Sequence, residues 1–431
     1  MKKLFSILIA LTLVFALVAC GKNDTPNNQP TSESNETEVS DSETSVSVNK
    51  SSATTGSASQ SASNYQPLNA KKRIFLAGDS TVKTYNDNQY IGGWGQYLQW
   101  FLNEDEIGVV NKANGGRSSR SFINEGRLYT NTEIKTNFTS IESEIREGDY
   151  LFIQFGHNDD TSKDYYTNYC DRKVPIGEPD ADNVYPTVVP EAKVPTTALP
   201  EEFVNSDYYK GLNSVSQNGL LSVIKAYGSE YYSFDCGGTF KGYLKMYIDF
   251  AREKGAIPVL CTPVARVKFD SEGTTLIGGA GRHGYNFEYV TAVRQLAKEE
   301  DCLLMDLFND TKQMLEAVTV TDANYLMALK PNALTGEWPS GYDNAYDNKS
   351  AGYKGIEATH YNKYGAFLTA AKVAEHLKAF ADENTTTSRK ESVSFGDFIL
   401  RQPISKITPS ALMNAEKVSN LNALFTTLKV A

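Results

Sequence analysis

Ser80 ends the triplet Gly78-Asp79-Ser80 after an apolar run, Asn158 sits in Gly156-His157-Asn158-Asp159 after another, and Glu357 and His360 share the segment Glu357-Ala358-Thr359-His360. A serine hydroxyl becomes a useful nucleophile when a base removes its proton, and a histidine titrating near neutral pH can take that proton and return it to a leaving alcohol. A carboxylate then holds the imidazole in the productive tautomer and stabilises the cation that forms. These residue types point to acyl transfer, with Ser80 as nucleophile, His360 as base and Glu357 as the orienting acid. Asp343 and Asp347 are the other acids considered for that last role.

Such groups need a rigid frame, and from Lys71 onward the chain alternates short apolar runs with amphipathic stretches. The runs 73–77, 107–111, 150–155, 256–261 and 302–307 lack period-two alternation, which predicts strands covered on both faces. Phe240, Tyr243, Leu244, Tyr247, Ile248 and Ala251 recur at three-and-four spacing, as do Ala366, Phe367, Ala370, Val373, Ala374 and Leu377, which predicts helices. The expected fold is α/β, a three-layer α/β/α sandwich around a mainly parallel sheet of about five strands. Ligands of such sheets bind beyond the carboxyl ends of the strands. Ser80 follows the first strand, the 115–118 turn the second and Asn158 the third, while His360 is expected in the loop before the last helix.

Five blocks occur in order: Gly78-Asp79-Ser80-Thr81-Val82, Asn114-Gly115-Gly116-Arg117-Ser118-Ser119-Arg120-Ser121-Phe122, Phe155-Gly156-His157-Asn158-Asp159, Thr262-Pro263-Val264-Ala265-Arg266 and Thr359-His360-Tyr361. With these blocks, residues 71 to 382 resemble the GDSL, or SGNH, hydrolase family, and within it the rhamnogalacturonan acetylesterases. The resemblance implies a flavodoxin-like sheet and a serine carbohydrate esterase that removes O-acetyl groups from a polysaccharide through an acetyl-enzyme. No cofactor and no metal are expected, because the sequence has no His-Glu-x-x-His, no paired Cys-x-x-Cys and no glycine-rich phosphate loop. It also implies three oxyanion donors: the backbone amides of Ser80 and Gly116 and the side-chain amide of Asn158. The family normally carries Asp where this chain has Glu357. Asp79, His157, Arg117, Ser118 and Arg120 are expected to brace their turns, whereas Arg266, His283 and Tyr165 are candidates for substrate contact. A general acyl esterase or lipase of the same fold is the second reading, and a surface glycan-binding lipoprotein without turnover is the third.

The remaining segments set the context. Lys2 and Lys3 precede an apolar run to Ala19 that ends in Leu17-Val18-Ala19-Cys20-Gly21, which resembles a bacterial lipoprotein signal. Residues 1–20 are thus read as a signal segment with Cys20 as the lipidated residue, and 21–70, rich in Ser, Thr and Asn, as a disordered linker. This places the chain on the outer face of a bacterial membrane, held by lipid alone. The net charge of −10 over 431 residues argues against nucleic-acid partners. A monomer acting on an acetylated polysaccharide is expected. Cys261 and Cys302 read as buried thiols, whereas Cys170 and Cys236 are compatible with a disulfide. The stretch 164–235, with six of the fifteen prolines, is an insertion placed to wall the cleft, and tyrosines such as Tyr165, Tyr185 and Tyr208 either face sugar rings or pack on each other. Residues 383–431 form an appendage whose apolar positions, Phe395 among them, are expected to dock. The loop around Asp343 and Asp347 offers oxygens to calcium but lacks a twelve-residue ligand pattern.

Overall fold

The computed structural model describes residues 71–86, 91–130, 137–159, 172, 174–190, 210, 237–276, 288–317, 323, 326–329 and 356–396, the side chains of 329 and 356–358 excepted. Five strands, β1 (Lys72–Gly78), β2 (Ile107–Asn111), β3 (Tyr150–Gln154), β4 (Ile257–Cys261) and β5 (Leu303–Met305), form one parallel sheet in the order β2-β1-β3-β4-β5. That order reverses direction between β1 and β3, and the reversal opens a crevice at their carboxyl ends.

The continuous apolar runs are explained by burial on both faces. Ile74 and Leu76 of β1, Tyr150 and Phe152 of β3, and Val259 and Cys261 of β4 enter one apolar layer. Their neighbours Phe75, Ala77, Leu151, Ile153 and Leu260 enter the other. The first layer is closed by two 3-10 turns (Trp94–Gln96 and Leu98–Phe101) and by helices described below as α4 (Leu307–Glu316) and α5 (Lys363–Asp382). The second is closed by α1 (Ser119–Asn124), α2 (Phe240–Glu253) and α3 (Glu288–Glu299). Burying each large apolar side chain contributes about 1.5–3 kcal/mol before entropy is counted, so both layers stabilise the strand ends that carry the chemistry.

The helix starts follow from their caps. Thr239 accepts from the Gly242 amide, Asp306 from Asn309 and Asn362 from Gly365, each satisfying an otherwise orphaned amide of the first turn. The Asp306 cap also corrects the expected strand over 302–307: β5 stops at Met305 and Leu307 already belongs to α4.

His360 does not lie in a loop. It stands on β7 (Ile356–Tyr361), which pairs antiparallel with β6 (Met327–Leu329) in a separate two-stranded sheet. Met327 pairs with Tyr361 and Leu329 with Ile356, so the two steps from 327 to 329 answer the five from 356 to 361, an irregularity that spans Glu357 to His360.

Residues 174–190 of the insertion run over the start of α2. Phe240 donates to the Pro175 carbonyl and Thr239 to the Val188 carbonyl, both at 2.9 Å, and Lys241 Nζ donates to the Tyr185 carbonyl at 2.7 Å. Val188 comes so close to Gly242 that a Cβ there would lie 1.7 Å from its carbonyl oxygen. Tyr185 is buried in the second apolar layer, so its ring is a packing group and not a sugar platform. Phe395 docks as expected, edge-on to Tyr150 with ring centroids 5.0 Å apart, at the end of β3 remote from Asn158. Cys261 and Cys302 are free and buried, and burial pushes the Cys302 thiol up to about 12. Cys20, Cys170, Cys236 and the 343–348 loop lie outside the described residues.

Candidate active site

The turn after β1 is tied by its own backbone. Val82 and Lys83 both donate to the Asp79 carbonyl at 3.1 Å, which folds the chain sharply at Ser80. The Asp79 side chain, fully buried, accepts from the Thr81 amide and hydroxyl at 2.8 Å each. Its second oxygen lies 3.3 Å from His157 Nδ1. Burial alone would raise the Asp79 carboxyl, but His157 and Thr81 outweigh it and hold the pKa below the ordinary carboxylate value. Trp94 Nε1 donates to Gln154 Oε1 at 2.8 Å, Gln154 Nε2 to Thr81 Oγ at 2.6 Å, and Thr81 in turn to Asp79. A buried relay therefore locks the nucleophile turn to the end of β3. Tyr85 adds a hydroxyl bond to the Ser80 carbonyl at 2.9 Å.

His360 Nε2 lies 2.7 Å from Ser80 Oγ. The residues predicted as nucleophile and base are thus in direct hydrogen-bond contact across 280 residues of sequence. The base is held by its neighbours on β7: Tyr361 donates to the Ala265 carbonyl at 2.8 Å, and Gly92 donates to the Tyr361 carbonyl at 3.0 Å. His157 faces the Val264 carbonyl through Nε2 at 3.1 Å, so its proton on that nitrogen is the one the carbonyl requires. The Thr262–Arg266 stretch therefore joins the Asn158 turn to the His360 strand through two adjacent carbonyls, a role its sequence did not announce.

Asn158 donates from Nδ2 to the Arg117 carbonyl at 3.2 Å, which brings its amide beside the Gly115-Gly116 turn. Gly116 has φ +71°, a conformation that strains any residue with a Cβ. Ser118 caps α1 in a capping box with Ser121, and Arg120 is buried among the largest fully enclosed side chains. Arg117 Nη1 donates to the Gly115 carbonyl at 2.9 Å and its Nε pairs with Glu125 at 2.6 Å. Glu125 also pairs with Arg127 at 2.7 Å; burial would raise its carboxyl, but Arg117 and Arg127 outweigh this and bring its pKa to about 2. The second block is thus a braced turn, as expected of Arg117, Ser118 and Arg120.

Ser80, His360, Gly116 and Asn158 are brought to one end of the sheet. Glu357 stands on β7, three residues before His360, with its side chain outside the described residues. His283 and Tyr165 also lie outside them, and Arg266 is half-buried in the loop after β4. His376, on α5, pairs with Asp310 at 2.6 Å. Two cations near the glycine turn were not singled out from the sequence: Lys83 and Arg172. Lys83 follows the nucleophile turn by three residues, a proximity signal that was available, whereas Arg172 reaches the turn only through the fold.

The model of the family described as GDSL-like lipase/acylhydrolase matches residues 74–373. Rhamnogalacturonan acetylesterase RhgT of Bacillus subtilis is 30% identical over 308 residues, covering 71% of this chain and 89% of its own. Probable rhamnogalacturonan acetylesterase YesY of the same organism is 33% identical over 234 residues, covering 54% and 69% respectively. Among solved structures, a variant of Axe2, an acetyl xylan esterase from Geobacillus stearothermophilus, matches with a TM-score of 0.36 at 11% identity, covering 72% of this chain and 96% of that one.

Proposed function

Because this chain belongs to the GDSL-like lipase/acylhydrolase family and is a carboxylic ester hydrolase, we propose that it removes O-acetyl groups from rhamnogalacturonan or a related pectic polysaccharide through an acetyl-enzyme. The observation that carries the reading is the 2.7 Å contact between Ser80 Oγ and His360 Nε2. The choice of polymer is supported by the relatives at about a third identity.

Ser80 Oγ attacks the acetyl carbonyl as His360 takes its proton. The resulting oxyanion is held by the Ser80 and Gly116 amides and the Asn158 side chain. Collapse expels the sugar alkoxide, which leaves with the proton from His360, and the acetyl group stays on Ser80. Water then attacks while His360 accepts its proton, and a second collapse releases acetate and returns the proton to Ser80.

Glu357 is the acid assigned to orient His360. On a regular strand residues three apart face opposite sides, but the register irregularity between Ile356 and Tyr361 lifts that constraint. The 71–382 hydrolase unit is carried by the 21–70 linker from a lipidated Cys20, outside the cell and as a monomer.

The deciding experiment measures acetate release by the full chain and by Ser80→Ala from acetylated rhamnogalacturonan, acetylated xylan and a small chromogenic acetate. Serine-dependent release from the pectic polymer supports the reading. Cleavage of the small acetate alone retains the esterase and removes the pectic substrate. Full activity of Ser80→Ala sinks the mechanism.

A further inference from the structure

The chain that leaves the nucleophile turn comes back to lie between that turn and the base. Trp94 donates its amide to the Thr81 carbonyl at 3.0 Å, next to Ser80, and Gly92 donates to the Tyr361 carbonyl at 3.0 Å, next to His360. One short stretch of backbone is therefore bonded to both segments. Its two adjacent glycines, both buried, are pressed against different sides. A Cβ on Gly92 would lie 2.9 Å from Lys363 Cα, 3.1 Å from Ala366 Cβ and 3.2 Å from the Asn362 carbonyl oxygen, all just after the base. A Cβ on Gly93 would lie 2.5 Å from the Val82 carbonyl carbon and 2.6 Å from the Lys83 nitrogen, just after the nucleophile. Bare backbone fills this gap, and a side chain at either position would force the walls apart.

The nucleophile side has a second hold. Tyr85 donates its hydroxyl to the Ser80 carbonyl at 2.9 Å, while its own amide and carbonyl are paired with the Gln96 side chain at 3.2 Å each. The Thr81 amide, at the other end of the same peptide as the Ser80 carbonyl, donates to Asp79 Oδ1 at 2.8 Å. The peptide after Ser80 is thus held at its oxygen and at its nitrogen, which restricts rotation of the nucleophile's backbone.

We propose that Gly92, Gly93 and Tyr85 are positioning residues that set the 2.7 Å separation between Ser80 Oγ and His360 Nε2. The paired glycines are a spacer one backbone thick, and Tyr85 steadies the nucleophile turn beside it. Proton transfer from hydroxyl to imidazole needs direct hydrogen-bond reach, so the thickness of this spacer enters the rate although none of the three residues touches the reacting atoms. The inference rests on the assignment of Ser80 and His360 as nucleophile and base.

The test measures kcat, KM and melting temperature of the full chain on a small chromogenic acetate. Gly92→Ala is made in the wild type and in a His360→Ala background, and Tyr85→Phe in the wild type. The new methyl must displace the backbone at the start of α5, and kcat should fall roughly tenfold to a hundredfold with KM little changed, the scale of a misplacement of about 1 Å. In the His360→Ala background no contact remains to be set, and the same substitution should cost little more. Adding Ala366→Gly, which removes one of the atoms the methyl meets, should restore part of the loss. Tyr85→Phe should lower kcat by a smaller factor, again with KM kept.

A folded Gly92→Ala protein with the wild-type kcat overturns the inference. Equal proportional losses in the two backgrounds overturn it too, because the glycine then serves the fold in general. So does a raised KM with kcat preserved. If Gly92→Ala does not fold, Tyr85→Phe decides, and an unaltered kcat there is the overturning result. Full activity of His360→Ala removes the base assignment and the inference together, whereas Gly92→Ala at the wild-type rate beside an inactive Ser80→Ala removes the inference alone.

Discussion

Gln154 donates from Nε2 to the hydroxyl of Thr81 at 2.6 Å, which fastens the last residue of β3 to the turn that carries Ser80. Replacing it by methionine keeps the volume and removes both its acceptor for Trp94 and its donor for Thr81. Two buried polar groups are then left without this partner, at a cost of about 1–3 kcal/mol each before relaxation. Gln154→Met should lower the urea midpoint and reduce kcat more than it raises KM. Unaltered unfolding and kinetics would show that the relay contributes nothing.

Glu357→Gln should lower kcat by roughly 10^4-fold if this residue orients His360, because the amide favours the wrong imidazole tautomer. Glu357→Asp should recover part of the loss. Steady-state kinetics on a small acetate are sufficient as the assay. A wild-type rate for Glu357→Gln would transfer the role to another acid, Asp343 and Asp347 first.

Asn158→Ala removes the donor proposed for the developing oxyanion, and losses of this kind run to about 100-fold to 1000-fold in kcat. KM should change little, since the donor acts on the transition state. A large rise in KM with kcat preserved would assign Asn158 to ground-state binding. Its bond to the Arg117 carbonyl makes a melting curve a necessary companion measurement.

Acid stability should depend on Glu125. Its folded pKa of about 2 lies below the unfolded value of 4.5, so the unfolded chain binds the extra proton. The stabilisation is therefore complete above about pH 5 and is lost as pH falls towards 2, up to about 3 kcal/mol in all. Asp79, also depressed, adds loss in the same direction. Urea midpoints at pH 6 and pH 3.5 should differ less in Glu125→Gln than in the wild type. An identical pH dependence in the two proteins would contradict this assignment.

The strands were legible because β1, β3 and β4 are buried on both faces, which writes continuous apolar runs into the sequence. Ser80, Gly116 and Asn158 were legible because each follows such a run. His360 was identified by type, but its strand was not, since Thr359-His360-Tyr361 takes extended form through pairing with the distant Met327–Leu329. Arg172 was overlooked, and Tyr185 left open between two roles, for a related reason. Nothing local in a proline-rich stretch tells which side chains turn to the core, as Tyr185 does, and which turn to the glycine turn, as Arg172 does. The carbonyls of Val264 and Ala265 are invisible as well, because backbone acceptors leave no mark on residue type.

Ser80 sits in the turn that leaves a five-stranded slab, whereas His360 stands on a two-stranded ribbon. The ribbon is pinned near His360 by Tyr361 to Ala265 and by Gly92 to Tyr361. Its opening exposes far less apolar surface than melting the slab, and small sub-global openings cost less than global unfolding. Heat should accordingly silence the enzyme some degrees before it denatures, and reversibly, because cooling needs only to re-dock one ribbon and not to rebuild a core.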